Sequence, residues 1–370
     1  MADPANALPG FLAPLGQVGR YFSLVQGIPG LIASLVPLGL VASGAPVHRP
    51  DLTNGITSLR SLGVTGFALL TLGVVTIGLV LQPFQFATTQ MLEGYWGTRT
   101  PLLLAMQRST VRHLRVVLDL ESKQGSYWKA RALDDIRDRL NLVKDAVGDA
   151  HDSNADELAR TRTAQKRDLL ERALPLRFEG QEAIRRRSKY PIDPADLMPT
   201  RLGNVLRRYE RLAGQPYGLE AIGAASILAQ VAPKVVRDYY DDMRTDMDQA
   251  TSLVAAWTFV AGSSFFLLWR HGPWLIVPAL ATLLAYGSYR SAVAAAEGFG
   301  EALMALVSLG RWSLYDALHV ELPPDSTVER DTNALLNSQL SGDWVKIRYR
   351  VSGERAVPVQ EQAETPGLEE

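Results

Sequence analysis

Cysteine is absent from the chain, so no disulfide framework, thiolate metal site or thiol nucleophile can form. Histidine is nearly as scarce. The five copies, His48, His113, His151, His271 and His319, are scattered, with none of the close spacings that a zinc site requires. Phosphate-binding glycine loops, the dinucleotide fingerprint and the nucleophile elbow are missing as well. These absences leave no catalytic residue, no cofactor and no metal ion to expect, and the chain reads as a non-enzyme. An excess of charge is also lacking: the formal net charge is −1, which gives no reason to expect nucleic acid as a partner. Basic residues are overwhelmingly arginine, a bias that points to a GC-rich bacterial genome.

What is present is segregated. Hydrophobic residues make up 47% of the 370, an ordinary average, yet they are blocked together with the charges lying between the blocks. Uncharged runs separated by charged stretches are the signature of membrane spans rather than of an amphipathic globular core. Segment 61–81 carries no charge, and as a helix it covers about 30 Å, the hydrocarbon thickness of a bilayer. Its threonines can return their hydroxyls to the helix backbone. Gly63, Gly66, Gly73 and Gly78 allow close approach of a neighbour.

Segments 251–269 and 273–293 are joined only by Arg270, His271 and Gly272, which forces an antiparallel helical hairpin. Trp257, Trp269, Trp274 and Tyr286 supply interfacial aromatics, two of them bracketing the turn. Segment 21–44 is long enough to span but contains Pro29 and Pro37, so it reads as a kinked span, with a re-entrant segment as its rival. A secretory signal fits less well, because Pro46 follows the small-residue site at 43–45 and Arg20 sits deep.

Between the second and third spans the composition changes abruptly. Leu133, Ile136, Leu140, Val143 and Val147 recur at helical spacing, residues 148–154 are turn chemistry, and 155–174 resume the pattern, giving a helical hairpin. Thr200 caps a helix through Leu212 that Gly214, Gln215 and Pro216 break, and 221–231 is apolar but too short to cross a bilayer. The last span continues at helical period to residue 318, which points to one helix projecting beyond the membrane. Val345, Ile347, Tyr349 and Val351 alternate with Lys346, Arg348 and Arg350, the pattern of a half-exposed strand.

Positive charge favours the cytoplasmic side of a span. Arg99, Arg108, Arg112 and Arg115 follow the second span, and Lys234, Arg237 and Arg244 precede the third. Arg290 and Arg311 lie at or after the end of the fourth. The expected fold is therefore mainly α, a polytopic membrane helical bundle of about four spans with a cytosolic helical domain and a small β-like, partly disordered C-terminal tail. In residues this divides the chain into a cytosolic segment at 1–20, a kinked span at 21–44, a span at 61–81 and a cytosolic helical domain at 82–250. A membrane hairpin at 251–293, a cytosolic extension at 294–320 and a tail at 321–370, disordered beyond about 356, complete it. The expected location is the inner cell membrane, with both termini and the large domain in the cytoplasm.

Three residue groups stand out. Asp238, Asp242 and Asp246 form a carboxylate stripe at four-residue spacing, where like charges repel by about 0.2–0.5 kcal/mol per pair. In an oligomer such stripes can form a cation vestibule, while in isolation they are a solvated end neutralised by Arg237 and Arg244. Arg185, Arg186, Arg187 and Lys189 are locally basic, which offers lipid-headgroup contact or an internally paired face. Gly298, Gly300, Ala302 and Ala305 make a small-residue helix surface suited to packing. Glu297 and Glu301 lie on the same helix, and the stretch 92–97 around Tyr95 and Trp96 suits an interfacial anchor. The leading expectation is a membrane scaffold or adaptor that presents its helical domain to a cytosolic protein partner or assembles as a homo-oligomer. The alternative is an oligomeric ion channel with an acidic juxtamembrane vestibule.

Overall fold

The computed structural model describes residues 27–45, 47–51, 87–97, 99–148 and 178–350, with single positions between 53 and 76. Segment 61–81, the helix expected over 155–174 and the tail beyond 350 lie outside the described residues, apart from those single positions. The described chain is mainly helical and contains no sheet. Its principal helices are α1 (Ile28–Ala42), α2 (Thr100–Gly148), α3 (Arg201–Gly214), α4 (Ala221–Val231), α5 (Lys234–Leu268), α6 (Ile276–Ala317) and α7 (Ser326–Leu340). Shorter helical stretches cover 87–93 and 178–187.

The framework is the antiparallel hairpin of α5 and α6. Helix α5 follows Pro233, whose ring suits the entry to a helix, and stops at Trp269. A single 3-10 turn, Gly272–Leu275, reverses the chain. With 35 and 42 residues the two rods are about 52 and 63 Å long. Both are long and apolar enough to cross a membrane. The ladder of α5 runs without interruption through residue 250, and that of α6 through residue 293.

The hairpin has two halves with opposite burial. Near the turn the inside is lined by Val254, Ala256, Val260, Ser264 and Ala281, whereas Phe259, Phe265, Phe266, Leu280 and Leu283 point outward. In water this arrangement wastes apolar area at about 25 cal/mol per Å². Against lipid it costs nothing, and small residues inside allow close helix approach. Helix α1 lies along this tip, where Leu40, Ala45 and Leu268 pack together with Leu267, Trp274 and Val277. Its own Leu31, Leu35, Leu38 and Val41 remain exposed. Helix α1 covers the described part of the 21–44 span read from the sequence, residues 21–26 lying outside the described residues, and Pro37 sits inside it without ending it.

The far half is packed as an ordinary core. Helix α3 is capped by the Thr200 hydroxyl, which accepts from the Gly203 amide at 3.0 Å. Its Leu202, Val205 and Leu206 meet Ala292 and Ala296 of α6. Further along, Leu303, Leu306, Val307 and Leu314 of α6 are enclosed by α4, by Tyr240 of α5 and by Leu336 of α7. Helix α2, about 74 Å long from its 49 residues, packs Val117 and Leu120 against Ala183, Tyr190 and Leu197. The alternating segment 344–350 makes one antiparallel bridge, Val320 to Tyr349, rather than a strand in a sheet. Alternation supplies a strand's faces but not the second strand that it needs.

Candidate functional site

The densest polar structure lies where α2, the 190–200 loop, α3 and residues 87–94 meet beside α6. Thr200 links two of these elements: besides capping α3, its hydroxyl donates to the Glu93 carbonyl at 2.9 Å. A side chain at Gly203 would place its Cβ 2.0 Å from that carbonyl, so only glycine permits the approach. Asn204, fully buried, is satisfied by donating to the carbonyls of Met198 and Thr200 and accepting from the Met198 amide. Ser109 of α2 donates to the Pro199 carbonyl at 2.5 Å. The Arg201 amide donates to the Tyr289 hydroxyl at 3.2 Å, tying the loop to α6.

Two carboxyls and one imidazole here titrate abnormally. Burial, reinforced by the charge of Glu210, pushes Glu93 up to about 7. Glu210 is also raised by burial, against the opposing pull of Arg207. Burial and the nearby Arg201 push His113 down, holding it neutral with Nδ1 3.2 Å from the Tyr190 hydroxyl. The influence of Glu210 on Glu93 is not legible in residue order, because the two residues lie on separate elements.

The basic run is knitted into this junction. Arg185 and Arg186 both bind Glu182. Arg187 pairs with Glu121 at 2.9 Å and donates to the carbonyls of Tyr190, Pro191 and Ile192. Lys189 is bonded to Glu297 of α6. Each of the four cations thus has a carboxylate partner in the chain.

The acidic stripe lies on the outer side of α5, with Asp238 half-buried and Asp242 and Asp246 exposed. Glu301 is exposed, whereas Glu297 is half-buried. Among the described residues no group of three or more potential ligands is arranged to hold a metal ion. The small-residue surface of α6 is occupied from within the chain. A Cβ at Gly300 would fall 2.1 Å from the Tyr209 ring of α3, and one at Gly298 would lie 3.3 Å from the Met243 sulfur of α5. Ala302 is fully buried and Ala305 half-buried.

A second polar cluster joins α6 to α7. Arg311 pairs with Glu329 at 2.9 Å and stacks on the rings of Tyr217 and Trp312. The Tyr315 hydroxyl donates to Asn333, whose amide donates to the Tyr217 carbonyl. No family model, no curated protein and no solved structure matches the chain. The geometry describes two polar junctions, one bracing α2, α3 and residues 87–94 beside α6, the other holding α7 to α6.

Proposed function

We propose that the chain is an integral scaffold or adaptor of the bacterial inner membrane, crossing it about four times and holding a helical domain against the cytoplasmic face for a protein partner. One observation carries this reading: α6 is a single helix with two environments. Near the turn it exposes Leu280, Leu283 and Tyr286, while its other half buries Leu303, Leu306, Val307 and Leu314 beneath α3, α4 and α7. A lipid-compatible tip is thereby fused to a packed platform with no linker between them. The long α2, with Trp128 exposed near the middle of its length, offers that platform's reach. The arginine asymmetry around the hairpin supports the cytoplasmic placement.

The channel reading keeps one supporting observation, the exposed carboxylates of Asp242 and Asp246 beside the apolar tip. A photo-crosslinking residue at Trp128 in living cells separates the two. The scaffold reading expects a discrete adduct with a different protein there, and none from the same probe at Phe266 on the tip. Adducts only between copies of the chain, together with cation conductance from the purified protein in planar bilayers, would replace it with the channel.

A further inference from the structure

Among the described residues, a cluster of cations without an ion pair lies on α2, whereas those of the run at 185–189 are paired. Arg108, Arg112 and Arg115 are all exposed, and none makes an ion pair among the described residues. At 100° per residue they lie on one side of the helix, beside exposed Val111 and opposite buried His113 and Val117. Gln107, Ser109 and the three arginines border a shallow cavity of about 580 Å³ on this face. The height of that face is set by a chain of hydrogen bonds. Ser109 reaches Pro199, and Arg201, two residues on, reaches Tyr289 of α6. Tyr289 lies at the end of the apolar tip, one turn beyond exposed Tyr286 and next to exposed Arg290. Three unpaired guanidiniums interleaved with apolar side chains therefore stand at the level where the apolar tip meets the polar base.

We propose that Arg108, Arg112 and Arg115 form a binding site for the phosphate headgroups of anionic phospholipids in the cytoplasmic leaflet, with Val111 and the neighbouring Leu104 and Leu118 against the acyl boundary. The site rests on the membrane reading above. Guanidinium forks match phosphate oxygens bidentately, and a basic amphipathic helix at this height is in the geometry that anionic leaflets recognise. Leu104, Val111 and Leu118 repeat every seventh residue and are all exposed, so the apolar stripe runs parallel to the arginines along the helix. Net charge complementarity commits the face to anionic lipid rather than to zwitterionic lipid, which offers a compensating cation.

The test uses the full-length protein reconstituted in nanodiscs of mixed phosphatidylcholine and phosphatidylglycerol, with the lipids retained after delipidation counted by mass spectrometry. Wild type is expected to enrich phosphatidylglycerol over the bulk ratio. At roughly fivefold per arginine near an anionic surface, about 1 kcal/mol each, the triple variant R108Q/R112Q/R115Q loses a preference on the order of 100-fold before screening. R185Q/R186Q, altering cations already paired with Glu182, is expected to keep the enrichment. Equal enrichment in wild type and the arginine triple variant, or none in wild type, overturns the site. Protection of wild type against thermal unfolding by millimolar inorganic phosphate equal to that by phosphatidylglycerol also overturns it, in favour of a soluble anion. Failure of the membrane reading itself shows elsewhere, as release of wild type into the supernatant on carbonate extraction.

Discussion

Replacing Glu93 by Gln tests the buried acid at the junction. Its carboxyl titrates near 7 against an ordinary 4.5, so in the folded chain it holds a proton across most of the acidic range. A raised acid gives stability that is fully present below about 4.5, declines as pH rises toward 7 and is level above that. At 1.36 kcal/mol per unit the full decline is at most about 3 kcal/mol, and partial exposure of the side chain reduces it to about 1–2 kcal/mol. Glutamine has the shape of the protonated acid and never ionises. Glu93→Gln is therefore expected to leave the melting temperature unchanged at pH 5 and raise it by several degrees at pH 8, at roughly 2–4 °C per kcal/mol. Glu210→Gln removes the second cause of the shift and flattens part of the same slope. Thermal unfolding of the detergent-solubilised protein, followed by circular dichroism between pH 4.5 and 8, reads both. A variant equally stabilised at pH 5 and 8 would show that the slope does not come from Glu93, and one destabilised at pH 8 would show that Glu93 is ionised and held by a donor; either result refutes the burial argument.

Other substitutions probe the packing. Gly300→Ala places a methyl group 2.1 Å from the Tyr209 ring and is expected to lower the melting temperature sharply, whereas Gly298→Ala meets only the flexible Met243 side chain and is expected to be mild. Leu306→Ala, at a fully buried core position, should cost about 2–5 kcal/mol by cavity formation. Arg311→Met leaves Glu329 buried without its cation and should cost about 3–5 kcal/mol, most of it recovered when Glu329 is also replaced by Leu. A denaturant titration of the four proteins in a double-mutant cycle measures that coupling.

Much of the framework could be read from residue order alone, where the signal is local. Thr200 as a cap, the break at 214–216 and the apolar helix at 221–231 all depend on neighbours within one or two turns, and each falls where the spacing placed it. The reversal read at 270–272 was equally legible, since a three-residue link permits no other connection, and the 3-10 turn that makes it runs on to Leu275. Helix α2 was visible only from residue 133. Its first third carries apolar side chains both against the 178–197 segment and on the open face, which blurs the period of one face. For the basic run at 185–189 lipid contact and an internally paired face both stayed open, because two of its partners are remote: Glu121 lies 66 positions from Arg187, and Glu297 lies 108 from Lys189. Separation in sequence likewise hid the charge of Glu210 acting on Glu93. The small residues of α6 announced close packing but not the identity of the neighbour, which is Tyr209 on α3 for Gly300.

The unbroken length of α6 has a mechanical side. Its ladder of hydrogen bonds runs from Ile276 to Ala317, so the tip and the base turn as one lever. Over its length of about 63 Å, a tilt of about 10° imposed at the tip displaces the other end by roughly 11 Å. That end carries Arg311 and Tyr315, the residues that hold α7. Strain delivered there cannot dissipate along the rod. It is shared among the contacts that enclose this half of the helix, with α3, α4, α5 and α7, and the Arg311–Glu329 pair is one of them.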